Sequence, residues 1–520
     1  MYRNVFCSTI NTCMKKAIVL SAPAALTSGG HETRLGKNTA RAPGAHMVAQ
    51  CMRDNGYDTI NIEYINDWLA KPEFVSGLSM IMEKHFSGCT DGVIGLSLTI
   101  GHHAVLGDTR LVNIIEAVRK NYNVRVAAGG LYRPLPVKRK EFNQETQLPY
   151  LIDAYFIGRS LTMFPTWLNK GDMSEHYYET DHNNSIWYKL KNPDVIPEPP
   201  IVMPLHDSDS FNARDVLTIE LGVGCKFNCS FCNTPFKKSA TQFQSVDNLV
   251  EFLSEAHSRY GVKHFNLSDE TTNEVDEKYE NLLTAVRQLD YQPEFTGYAR
   301  LDMLSAKRYQ IEQMAEIGFK GVFFGIETLD NKAGKNIRKI TGGAKNLESL
   351  RLLKENVPDL YRFGSFMIGL TYDSEEKIQA GFDYIVEHQL LHNTYINQVG
   401  IGAPYPGDTW ASDFSKNPEK FGFTVTRDGA ETTHMHEWVN DWITSEESVV
   451  LKEKFRKDTS TRLGFGKFME YTNWEYLKDK ALGGQSHPDT AKDQDPDRLY
   501  QLGVMHTENY IRSTIMKHGG

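Results

Sequence analysis

Short apolar segments of strand length recur along this chain, and most are followed by apolar residues at helical spacing. That alternation is the tightest constraint on the fold. It is most regular between residues 214 and 407, where DVLTIELG, VKHFNLS, EFTGYAR, KGVFFGIE, YRFGSFMIG and NTYINQVGIGA are separated by patterns such as VDNLVEFLSEAHSRYG and YQIEQMAEIG. Parallel strands need a crossover between them, usually helical, and strands covered on both faces read as near-continuous apolar runs. Six such repeats predict an open or closed α/β barrel. An earlier series over 14–172 contains KKAIVLSA, YDTINIEY, DGVIGLSLT, VRVAAGG and AYFIG, with APGAHMVAQCMRDNGY and LVNIIEAVRK as helices. It predicts a doubly wound parallel sheet. Between the two, residues 173–213 include the proline-rich NPDVIPEPPIVMP and read as a linker. Residues 408–520 read as a mostly helical C-terminal region and residues 1–13 as a flexible leader.

Composition narrows the setting. Apolar residues make up 40% and charged residues 24% of the 520, the balance of a soluble multidomain protein. Apolar runs such as GVIGLSL are far too short to span a membrane, and the N-terminus MYRNVFCSTINTCMKKAIVL has no signal-peptide pattern. Seven cysteines provide no disulfide framework, which fits a reducing cytoplasm. A formal charge of −9 argues against a nucleic-acid surface.

Three of those cysteines crowd into GCKFNCSFC: Cys225, Cys229 and Cys232. They follow the first barrel strand, so the thiols belong to a loop at the C-terminal strand ends, where α/β barrels carry their chemistry. A structural zinc site takes four ligands, and no second C-x-x-C supplies the fourth. A 4Fe–4S cluster bound by three cysteines keeps one iron open. The spacing therefore favours a cluster and leaves zinc as the alternative.

This C-x-x-x-C-x-x-C pattern, with aromatic Phe231 before the last cysteine, resembles the signature of the radical S-adenosylmethionine (radical SAM) superfamily. The resemblance implies that the open iron chelates S-adenosylmethionine. An external one-electron reductant would then drive its cleavage to a 5′-deoxyadenosyl radical. It also assigns expectations to other strand ends. Ser268-Asp269-Glu270 would lie near the methionine amine, Arg300 in YARLD resembles an R-x-D motif, and Glu327 in GIET would stand at the rim. Gly369 in FMIGLTYDSEE is similar to a segment beside the adenine, and Pro404-Tyr405-Pro406-Gly407 to a P-x-P-G-T motif. The plain alternatives are a surface ion pair between Arg300 and Glu327, and a simple turn at Gly369.

A Rossmann-like domain ahead of such a barrel resembles the cobalamin-binding (B12-binding) class of the superfamily. Ser97 at a strand end and the pair Gly129-Gly130 are its matching landmarks, and no G-x-G-x-x-G points to a dinucleotide. The D-x-H-x-x-G motif is absent, His102-His103 stand in a loop, and GRSL at 158–161 replaces the G-E-G-E of relatives. Cys7, Cys13, Cys51 and Cys89 do not form a second cluster motif. The function implied is a cobalamin-dependent methyltransferase acting on an unactivated carbon of a small molecule or peptide. An oxidative-cyclase-type or cobalamin-independent radical enzyme and a non-catalytic sensor remain alternatives. In the tail, His434 and His436 are candidates for meeting substrate or metal, with a structural role as the alternative; Trp438, Trp442 and Tyr471 read as core.

Overall fold

A computed structural model of the chain describes residues 14–22, 41–98, 108–131, 151–157, 161, 163–171, 173, 177–180, 186–189, 200–233, 242–339, 342–403, 411–429, 435–466, 471–484 and 487–519. The expected leader, Cys7, Cys13, His102-His103, residues 158–160, residues 404–407 and His434 lie outside these.

The first unit runs β1 (Lys15–Ala22), α1 (Pro43–Asp54), β2 (Asp58–Ile62), α2 (Ile65–Trp68), α3 (Pro72–Phe86), β3 (Asp91–Leu98), α4 (Thr109–Asn121), β4 (Val124–Leu131), β5 (Ala154–Ile157), α5 (Phe164–Leu168), β6 (Tyr177–Thr180) and β7 (Ile186–Lys189). Its sheet has the order β2-β1-β3-β4-β5-β7-β6, parallel except where β6 returns beside β7. Apolar clusters cover both faces, as a doubly wound sheet requires. Strands β6 and β7 correct the linker expectation: two four-residue strands inside 173–189 extend the first sheet. YYET and IWYK lie outside the alternating strand–helix series, so only tertiary pairing reveals them.

The second unit runs β8 (Val216–Ile219), a two-residue ladder of β9 (Gly222–Val223) and β10 (Gln242–Phe243), α6 (Val246–Tyr260), β11 (His264–Leu267), α7 (Asp276–Val286), β12 (Glu294–Arg300), α8 (Leu301–Ala306), α9 (Tyr309–Ile317), β13 (Phe319–Glu327), α10 (Asn331–Asn336), α11 (Gly343–Asn356), β14 (Tyr361–Ile368), α12 (Glu375–Glu387) and β15 (Asn393–Gln398). All six expected strands form one parallel sheet in the order β15-β14-β13-β12-β11-β8, each beside its sequence neighbour: a partial (β/α)6 barrel. Local chemistry sets the helix limits. The Ser245 hydroxyl caps α6 by accepting from the Asn248 amide, and Gly261 ends it at φ 73°. The free edge of β8 is shielded by a bridge from Val202 and by the Arg41 amide donating to the Val216 carbonyl.

The remainder comprises α13 (Asp413–Lys416), a hairpin of β16 (Thr424–Arg427) and β17 (Glu437–Val439), α14 (Ser445–Arg462), α15 (Asn473–Ala481) and α16 (Pro496–His518). Helix α15 fills the N-terminal end of the barrel: Asn473 Nδ2 donates to Thr296 Oγ1 at 2.7 Å, and Leu477 and Ala481 pack on Val216. Gly321 allows this approach, because a Cβ there would come within 3.1 Å of the Asn473 carbonyl oxygen. Helix α16 returns to the first unit, where Tyr510 and Ile511 join the core around Ile18 and Ile62. Trp438 and Tyr471 are core residues as expected, while Trp442 is half-buried and donates from Nε1 to the Leu370 carbonyl.

Candidate cluster and cofactor site

Beyond β8 the chain enters the cysteine loop through a buried carboxylate. Asp269 accepts from the amides of Leu221 and Gly222, at 2.7 and 2.9 Å, and pairs with Lys278 Nζ at 2.6 Å. The same ammonium lies 2.7 Å from Glu274. Burial works against the charged Lys278, but the two carboxylates outweigh it and raise its pKa; burial likewise raises the Glu274 carboxyl. Asp269 therefore faces inward and braces the loop, whereas Glu270 is exposed within electrostatic reach of Tyr298.

The β9–β10 ladder closes the base of the excursion that carries Cys225, Cys229 and Cys232. The Cys232 amide donates to the Cys229 carbonyl, forming a tight turn between them. Ser230, fully buried in that turn, is the loop's anchor. Its amide and hydroxyl donate to the carbonyls of Ile337 and Asn336, and its own carbonyl accepts from the Phe414 amide. Nothing in the sequence marked Ser230, because its partners are more than a hundred residues away. Phe231 is half-buried against the barrel core.

All three cysteines are half-buried and none of the described cysteines is in a disulfide. Burial first, then Glu274 and the neighbouring cysteines, push the Cys225 thiol up to about 12 against the Phe227 amide. A proton leaves such a thiol at neutral pH only when a metal displaces it. No three of the described Cys, His, Asp or Glu side chains converge as a single metal ion would require. Three sulfurs from one braced loop fit a polynuclear cluster, which offers each thiolate a different iron.

Arg300 reaches this loop from the end of β12. Its Nε and Nη2 donate to the Asp302 carboxylate at 2.9 and 2.6 Å, Nη1 donates to Cys229 Sγ at 3.1 Å, and the guanidinium lies 3.8 Å over the Phe227 ring. The alternative of an Arg300–Glu327 ion pair is overturned. Glu327, at the end of β13, instead pairs with Lys339 Nζ at 2.9 Å and accepts from Ser365 Oγ at 3.3 Å. It sits at φ 64° where the pairing of β13 with β14 slips, a backbone region that L-residues avoid without cause. Lys339, unmarked in the sequence reading, is drawn in by a chain reversal at Arg338. Gly369 also has a positive φ of 94°. The space a Cβ would need lies 2.7 Å from the Trp438 ring, and its carbonyl accepts from Asn440 Nδ2. One side of that turn is thus covered by the C-terminal hairpin. His436 accepts from the Gly429 amide and contacts Asp428, a local structural role.

In the first unit, Ser21, Ser97 and Gly129 face one another across β1, β3 and β4 at the C-terminal sheet edge. Gly129 and Gly130 belong to β4 itself, with the β4–β5 register slipping beside them. Ser21, which the sequence did not mark, is fully buried and its hydroxyl has no hydrogen-bond partner among the described residues. An orphaned hydroxyl at the edge where doubly wound sheets bind ligands fits an absent group.

A braced three-cysteine loop thus stands at the C-terminal face of a partial parallel barrel. Residues 219–385 match the Radical SAM superfamily. An uncharacterized methyltransferase of Pyrococcus horikoshii is 26% identical over 365 residues, covering 66% of this chain and 72% of its own length. The fold resembles that of the cobalamin-dependent S-adenosylmethionine radical enzyme OxsB, with TM-score 0.54, 12% identity, and coverage of 97% of this chain and 72% of that one. It also resembles the radical S-adenosylmethionine methyltransferase TsrM of Kitasatospora setae, with TM-score 0.56, 12% identity, and coverage of 90% and 99%. Among the described residues no helix is long and apolar enough to cross a membrane.

Proposed function

We propose that this protein is a cobalamin-dependent radical SAM methyltransferase acting on an unactivated carbon of a small molecule or peptide. The observation that carries the reading is the loop of Cys225, Cys229 and Cys232 braced at the C-terminal face of the barrel, within a chain that resembles the folds of OxsB and TsrM over 97% and 90% of its length. When bound, a 4Fe–4S cluster supplies the electron that splits S-adenosylmethionine, and cobalamin carries the methyl group.

The chain's own residues hold, orient and exclude water. Cys225, Cys229 and Cys232 would bind the cluster, with Ser230 and Asp269 fixing their loop. Glu327, held by Lys339, and the Gly369 turn would border S-adenosylmethionine together with Phe231 and Glu270. Ser97, Gly129, Gly130 and the orphaned Ser21 would line the cobalamin edge. We assign residues 14–172 with β6 and β7 to that cofactor, 214–407 to the barrel and 408–520 to closing its ends. The setting we infer is the cytoplasm, where reduced thiols and an electron donor are available.

The test is the absorption spectrum of protein purified without oxygen from cobalamin-fed cells, followed by product analysis with candidate substrates. We expect an iron–sulfur shoulder, near-equimolar cobalamin bands and S-adenosylhomocysteine as product. A cluster without cobalamin, even after reconstitution, would overturn the methyl-transfer reading in favour of cobalamin-independent radical chemistry. An intact cluster that yields neither S-adenosylhomocysteine nor 5′-deoxyadenosine would favour a sensor.

A further inference from the structure

The hydrogen bond between Arg300 and Cys229 has a consequence beyond shaping the loop. Its guanidinium is held from several sides. Asp302 takes Nε and Nη2 in a bidentate pair, which turns Nη1 toward Cys229 Sγ at 3.1 Å. The Phe227 ring stacks 3.8 Å from the guanidinium carbon. Asn273 fixes the backbone beneath, accepting from the Arg300 amide at 2.8 Å and donating to its carbonyl at 3.0 Å. The Arg300 side chain is only 6% exposed, so its charge is little screened by water. The loop is electrostatically lopsided as a result: a cation touches Cys229, while Cys225 lies near the Glu274 carboxyl.

We propose that Arg300 raises the reduction potential of the cluster held by this loop, through its charge-assisted hydrogen bond to the Cys229 sulfur, and that Asp302 partly offsets it. This rests on the reading of the three cysteines as cluster ligands. Reduction adds one electron to the cluster, and the added negative charge is stabilised by a nearby cation and by a donor on a ligand sulfur. Asp302 has the opposite sign and acts in the opposite direction. The bidentate pair also spends two of the guanidinium's donor groups, so Arg300 serves the cluster's ligand more directly than it serves S-adenosylmethionine.

Bracing alone and electrostatic tuning make different predictions. If Arg300 and Asp302 only brace the loop, losing either loosens it in the same way. If they tune the cluster, Arg300→Gln and Asp302→Asn move the potential in opposite directions.

The experiment is a potentiometric titration of full-length protein reconstituted without oxygen, read by absorbance and by the electron paramagnetic resonance of the reduced cluster. Signals are normalised to iron and sulfide content. Arg300→Gln should shift the midpoint more negative and Asp302→Asn less negative. Arg300→Lys, which keeps the charge but loses the planar fork, should fall between Arg300→Gln and wild type. Shifts of the same sign for Arg300→Gln and Asp302→Asn, or midpoints unmoved in both, overturn the proposal. Should Arg300→Gln fail to retain a cluster, a negative or absent shift in Asp302→Asn overturns it equally. A wild-type protein without any 4Fe–4S signal overturns the reading of the cysteines and this inference with it. A wild-type cluster with unmoved variants overturns the inference alone.

Discussion

Lys278 is the clearest case of one side chain on which a distant loop depends. It is buried with Asp269 and Glu274, and Asp269 in turn holds the first amides of the cysteine loop. Replacing Lys278 with Met leaves two carboxylates buried without their cation, a change that typically costs ~3–5 kcal/mol. Chemical denaturation of the variant should register that loss, and its cluster content after reconstitution should fall as the loop loosens. The sequence marked Ser268-Asp269-Glu270 as polar groups at a strand end but could not say which way each would face. Just past the end of β11 at Leu267, Asp269 turns inward to the amides of Leu221 and Gly222, while Ser268 and Glu270 stay exposed. Ser21 and Lys339 escaped notice for a related reason. A lone serine or lysine acquires meaning only from what other elements bring beside it.

The elements themselves were more legible. All six barrel strands and the first five of the earlier sheet announce themselves as largely apolar segments between helical patterns, because parallel strands are covered on both faces. The C-terminal region was less legible, and α14 shows why. Its apolar residues form no strong stripe, yet Leu451 and Phe455 are buried and its start is specified locally. Thr444 and Glu447 form a reciprocal capping box, each side chain bonding the other's backbone amide. Thr444→Ala should cost about 1 kcal/mol of stability, measured by urea unfolding, and leave the cluster spectrum unchanged. Strands β6 and β7 show the limit from the other side: YYET and IWYK stand outside the alternating strand–helix series, so their place in the first sheet comes from pairing alone.

At the scale of the whole molecule, a buried polar cluster joins the two units. Arg41 pairs with Glu63 of the first unit and with Asp215 at the entrance to β8, and His506 of α16 also meets Asp215 at 3.2 Å. His46 lies between Asp209, at 3.1 Å, and Glu63, at 3.3 Å. Burial disfavours the charged imidazole, but Glu63 and Asp209 outweigh it and raise its pKa from 6.5 to about 9. The folded state therefore prefers the protonated form. The stability this contributes, at most about 3 kcal/mol, is fully present below about pH 6.5 and is lost as pH rises through about 9. Thermal unfolding followed from pH 6 upward should show that decline, and His46→Gln should flatten it.

By itself the sequence determined the six barrel strands, the first five strands of the earlier sheet and that three thiols would share one loop, since periodicity and spacing are local properties. Tertiary structure alone decided that Arg300 turns to Cys229, that α15 plugs the barrel, and that α16 crosses back to the first sheet. These depend on groups far apart in the chain, and their partners are chosen by packing and by the cost of leaving a buried charge unpaired.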